Sequence, residues 1–88
     1  MRPSQRLGAN YRAAREARGL SRAALAGRCD LGEDELAAIE RGEEEPSAGA
    51  AIKLEDALAM PRGSSFHGVR WDQRSLRFVV EPPRGAAA

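Results

Sequence analysis

Apolar side chains recur at helical spacing through most of the chain and switch to strict alternation near its end. Within residues 21–42, Leu25, Ala26 and Cys29 fall at i, i+1 and i+4, a narrow stripe on one helical face. Leu31 lies beyond a short turn, and Leu36 and Ile39 then recur three apart with Ala37 and Ala38 between them. Ser21 is placed to cap the first of these helices through its hydroxyl. Gly42 stands where a left-handed residue closes the second, expected at about 33–41. Two short helices about a turn of roughly three or four residues predict a helix-turn-helix.

The flanking segments extend that pattern. Leu7, Tyr11, Ala14 and Arg15 share one face of a first helix expected over 6–18, preceded by a frayed arm at 1–5. Gly19 ends this helix and Leu20 drops into the core. Asp30 tolerates a left-handed backbone better than most residues, so it serves the turn between the paired helices. Ser47 is the next N-cap, for a helix at about 48–59 that offers Ala51, Ile52, Leu54, Ala57 and Leu58 to the core, Leu54 toward its edge. Met60 and Pro61 break it, and residues 62–66 make one last turn that sets Phe66 into the bundle. From Val69 the period becomes two. Val69, Trp71, Leu76, Phe78 and Val80 alternate with Arg70, Asp72, Arg77 and Glu81, which predicts a β-hairpin with strands near 68–72 and 76–81. Pro82 and Pro83 end it, and 83–88 are expected to be disordered. The fold expected is all-α, five helices over 6–66, with a hairpin extension at 67–82.

The run S-x-x-x-L-A-x-x-x-x-L-x-x-x-x-L-x-x-I-E-R-G, ungapped from Ser21 to Gly42, resembles the phage-repressor, Cro and Xre-like helix-turn-helix family. The likeness continues through Pro46-Ser47 and the helix at 52–58, and upstream through Leu7 to Arg15 and Gly19-Leu20. It covers about residues 6–66 and implies a lambda-repressor-like bundle. It also implies that Arg15 of the first helix and Glu40 of Ile39-Glu40-Arg41-Gly42 meet inside as a structural ion pair. A buried guanidinium needs a carboxylate, and a bidentate pair fits its planar fork. Glycine is frequent in the family where this chain has Asp30.

For function, the resemblance implies a DNA-binding transcriptional regulator whose third helix enters the major groove of double-stranded DNA. Arg22 then stands at a phosphate-contacting position, Glu33, Asp34 and Ala38 at base-reading positions with Ala37 beside them, and Arg41 and the loop 43–45 near the backbone of the same half-site. The chain departs from the family here, because readers there are usually Gln, Arg, Ser, Thr or Asn. A carboxylate can accept from cytosine N4, but six acids along one docking face are repelled by phosphates. Acids also favour a helix N-terminus for purely structural reasons. A second reading follows: the scaffold meets a protein partner through the acidic face of the third helix and the loop 43–45, with little or no DNA binding.

Charge sharpens this tension. The net charge is only +1 over 88 residues, but it is unevenly spread. Residues 1–30 hold seven arginines against Glu16 and Asp30, residues 31–60 hold nine acids against Arg41 and Lys53, and residues 61–88 hold five arginines against Asp72 and Glu81. A basic front beside an acidic middle bears on any polyanion partner. The hairpin's free edge offers a symmetric homodimer contact; the alternative is that Trp71, Phe78 and Val80 cover the far side of the first and fourth helices.

Other chemistry finds little support. One cysteine forms no internal disulfide, and Cys29 sits at a core position where a buried inert thiol is expected. His67 is the sole histidine, so no zinc ligand set is available, and no metal or cofactor is expected. Residues 64–67 lack an acid partner and a glycine-rich elbow, and Gly63 and Gly68 are isolated, so no catalytic role is expected. No apolar run reaches membrane-spanning length and no hydrophobic segment follows Arg2 and Arg6, so the expectation is a cytoplasmic protein without a membrane partner.

Overall fold

The computed structural model describes residues 2–80, in the order α1 (Pro3–Ala17), α2 (Arg22–Arg28), α3 (Glu33–Arg41), α4 (Ala48–Ala57), a 3-10 turn (Ser64–Phe66), β1 (Val69–Asp72) and β2 (Arg77–Val80). The fold is mostly helical with a two-stranded antiparallel hairpin, so four α-helices and one short 3-10 turn stand where five helices were expected. Gly63 and Gly68, both at positive φ, bracket the 3-10 turn and keep it to three residues.

α1 begins inside the stretch expected to fray. Pro3 fits a first helical turn because its missing N–H would have been unpaired there, and the Arg2 N–H donates to Gln5 Oε1 at 2.9 Å. Ser4 Oγ ties this start to α3, donating to the Gly42 carbonyl at 3.0 Å. The residues expected to cap and turn the chain do so. Ser21 and Ser47 Oγ accept from the N–H groups of Ala24 and Ala50, Asp30 has φ 55°, and Gly42 closes α3 at φ 77°.

The core gathers Leu7 and Tyr11 of α1, Leu25, Ala26 and Cys29 of α2 and its cap, Leu36 and Ile39 of α3, and Leu54 and Leu58 of α4 and its cap, with Ala14, Leu20, Leu31, Ala57, Met60 and Phe66 packed around it. Cys29 is buried and free, and burial pushes its thiol up. α4 corrects one expectation. Ala51, Leu54 and Glu55, with the cap residue Leu58, form its inward stripe, so Leu54 is fully buried as a core residue while Ile52, also expected in the core, is 42% exposed.

Glu55 is held by a network that bolts the 3-10 turn to α1. Its Oε2 accepts from Ser65 Oγ at 2.6 Å and from the N–H groups of Gly63 and Ser65 at 2.9 and 3.2 Å. Tyr11 donates its hydroxyl to Ser65 Oγ, and Asn10 Nδ2 donates to the carbonyls of Ser65 and His67. The hairpin leaves this anchor and packs on α1 with Val69 opposite Val80 and Trp71 opposite Phe78. The rings of Phe66 and Phe78 lie 5.9 Å apart. Leu76, expected in the second strand, instead takes φ 53° in the connecting turn and is exposed. The expected disordered tail at 83–88, and Glu81 and Pro82 of the expected hairpin, lie outside the described residues.

Candidate nucleic-acid interface

α2 and α3 pack against each other with Arg22 at the start of α2 touching Glu40 near the end of α3, and the loop 43–45 follows α3. In α3, Leu36, Ile39 and Glu40 face inward while Glu33, Asp34 and Glu35 of the first turn are exposed. The N-cap is Gly32, which supplies no side-chain acceptor, so the three carboxylates are what meets the positive end of the helix dipole. Ionised carboxylates only accept. The side chains of this turn can take a hydrogen bond from an exocyclic amine, an ammonium or a guanidinium, and offer no donor to a phosphate.

Ala38 is partly exposed one turn further on, whereas Ala37 is buried at 9% exposure and has little surface to offer a partner. Arg41 is exposed and holds Glu43 in a two-pronged contact, Nε to Oε1 at 3.1 Å and Nη2 to Oε2 at 3.0 Å. That hydrogen bonding raises the Arg41 guanidinium and lowers the Glu43 carboxyl from their ordinary values. Glu44 and Glu45 are exposed beside them.

Beneath this surface, Glu40 joins three elements. Arg15 donates from Nε to Oε2 at 2.8 Å and from Nη2 to Oε1 at 3.0 Å, and its Nη1 reaches the Leu20 carbonyl at 3.0 Å. The Glu40 hydrogen bond holds the Arg15 guanidinium above its ordinary value. Arg22, the first residue of α2, adds a longer contact from Nε to Oε1 at 3.4 Å with its side chain 37% exposed. This third partner was not anticipated from the sequence. The Arg22 position thus faces both the buried carboxylate and the outside.

Among the described residues no group of three or more His, Cys, Asp or Glu side chains is placed to hold a metal, and no helix is long and apolar enough to cross a membrane.

A helix-turn-helix family model matches residues 12–63. No curated protein matches the chain by sequence. Among solved structures, the restriction-modification controller protein C.AhdI from Aeromonas hydrophila is 31% identical with a TM-score of 0.64, over 66% of this chain and 88% of that one. The clp gene regulator ClgR from Corynebacterium glutamicum is 25% identical with a TM-score of 0.71, over 74% of this chain and 69% of that one. The competence regulator ComR from Streptococcus vestibularis, 22% identical, shares the fold over 80% of this chain and 24% of its own length, with a TM-score of 0.71. The match spans both paired helices, the ion-paired Glu40 and the start of the 3-10 turn's approach. The chain belongs to the Xre- and lambda-repressor-like helix-turn-helix family of DNA-binding transcriptional regulators.

Proposed function

We propose that the chain regulates transcription by inserting α3 into the major groove, with Glu33 and Asp34 reading base edges and Ala38 in apolar contact beside them. Arg22 and Arg41 hold the flanking phosphates, Arg22 exchanging its long contact with Glu40 and Arg41 its contact with Glu43 for phosphate oxygens. Ala37 contributes packing. The observation that carries this reading is the free first turn of α3, whose residues 33–35 are exposed while the rest of the helix is anchored from below. A carboxylate in the groove favours cytosine through its N4 amine, and a good base contact discriminates by about 1–3 kcal/mol.

Selection of bound duplexes from a randomised pool tests it. The wild-type chain is expected to enrich sites with cytosine at one or two positions, and Glu33→Gln with Asp34→Gln to move that preference toward adenine. Tighter binding with an unchanged preference means that the acids only repel DNA. A second reading is favoured by the six exposed carboxylates at 33–35 and 43–45: the same face binds a basic protein segment. Failure to enrich any duplex, together with saturable binding of an arginine-rich peptide that the Gln variants lose, establishes that reading instead.

A further inference from the structure

The proposed interface is short of unengaged cations. It carries six carboxylates, while Arg41 is bound to Glu43 and Arg22 touches Glu40. DNA affinity at moderate salt comes largely from neutralising phosphates and releasing their counterions, so a complex at this face needs positive charge from its surroundings. A cleft of about 440 Å³ beside the acidic loop supplies it. Arg2, Pro3, Ser4 and Glu45 form one side, and the residues of β2, Arg77–Val80, form the other. The cleft is fixed to the end of α3, because Ser4 Oγ and Arg2 Nη2 both donate to the Gly42 carbonyl, at 3.0 and 3.5 Å.

Among the described residues neither Arg2 nor Arg77 takes part in an ion pair. Two guanidiniums against Glu45 leave the cleft with a surplus positive charge. Both arginines lie outside the stretch matched by the family model, so this charge is an addition to the helix-turn-helix. Arginine offers only donors, in a fork that fits two phosphate oxygens at once.

We propose that Arg2 and Arg77 form a phosphate clamp on the DNA backbone beside the loop 43–45, offsetting the acidity of α3. The clamp rests on the DNA-binding reading above. Its test is the salt dependence of binding to a mixed-sequence DNA duplex, read by fluorescence anisotropy for the full chain. Each phosphate contact contributes about 0.9 to the slope of log affinity against log salt. Arg2→Gln with Arg77→Gln is therefore expected to flatten the slope by about 1.8, so that the wild type loses roughly tenfold more affinity than the variant between about 50 and 200 mM salt. Arg77→Gln alone, at a strand position, is expected to give half that change with an unaltered melting curve. Arg70→Gln, in the same hairpin but not lining the cleft, is expected to leave the slope unchanged. A wild type that binds with a steep slope shared by the double variant overturns the clamp and leaves the DNA reading standing. An equal loss in Arg70→Gln also overturns it, because net charge would then suffice. No duplex binding by the wild type at low salt overturns both.

Discussion

Glu40 shows how one carboxylate can set both stability and surface. At 7% exposure for the residue and 2% for its side chain, it depends on Arg15 for its charge balance, with Arg22 as a looser third partner. Removing one member of a buried pair strands the other, at a cost of about 3–5 kcal/mol. Arg15→Ala is therefore expected to unfold this small domain or shift its urea midpoint strongly downward. Arg22→Ala, at a more exposed position, is expected to cost about 1 kcal/mol or less while weakening DNA binding. Similar urea curves for the two variants would refute the division of labour. Glu55 is the second buried acid. Burial alone would raise its carboxyl, but the Ser65 hydroxyl, the Gly63 and Ser65 N–H groups and the charge of Arg62 outweigh that and hold it below the ordinary value of 4.5. A depressed folded-state pKa contributes stability that is present above 4.5 and is lost as pH falls through the lower folded value. Melting temperature is thus expected to drop as pH falls below about 4.5, and Glu55→Gln to flatten that drop while lowering stability at neutral pH by about 1–3 kcal/mol. An undiminished acid transition in the variant would assign it to other carboxylates.

At the scale of elements, the decisive contact is the crossing of α1 and α3. A Cβ on Gly8 would collide with the Ile39 carbonyl oxygen and stand 2.6 Å from that of Glu40, both backbone atoms at the end of α3. A glycine inside a helix normally weakens it by about 0.5–1 kcal/mol relative to Ala, so Gly8→Ala would stabilise an isolated α1. In the folded domain it is expected instead to destabilise by about 3 kcal/mol or more, since overpacking here must displace backbone. A chemical denaturation midpoint equal to wild type would mean that the helices part easily. This close approach is invisible to hydrophobic periodicity, which reads only where apolar side chains fall. The same limit explains the rest of what sequence reading missed. Ser21, Asp30, Gly42 and Ser47 act locally, through their own backbone, and could be placed in advance. Glu55, Asn10 and Ser65 act across 10 to 57 residues of chain. In α4, Ile52 was expected in the core beside Ala51, Leu54 and Leu58, but Glu55 takes the remaining inward position. Pro3 was misread because proline's fit to a first helical turn was passed over, and Leu76 because leucine rarely adopts the left-handed φ of 53° it takes in the hairpin turn. Glu33 and Asp34 are exposed and Ala37 is buried.

For the whole molecule, a net charge of +1 says little, since residues 31–60 hold nine acids against two basic residues, and six of those acids, at 33–35 and 43–45, are exposed around α3. The loop 43–45 is where this distribution acts on function. Glu43 occupies the Arg41 guanidinium through both of its oxygens, and Glu44 and Glu45 add two more carboxylates to the same rim. Any phosphate approaching Arg41 must displace one carboxylate and tolerate two others. Replacing all three by Gln releases Arg41 and removes the repulsion without shortening the loop. The triple variant is expected to bind a DNA duplex more tightly than the wild type, and the gain to shrink as salt rises, because at about 0.1 M ionic strength exposed charges are screened beyond roughly 10 Å. These side chains are exposed, so the melting curve should move little. Equal affinities for variant and wild type across the salt range would place the loop away from the phosphates, and with it Arg41. Weaker binding by the variant would mean that the glutamates themselves hold the partner, as a protein-binding face requires.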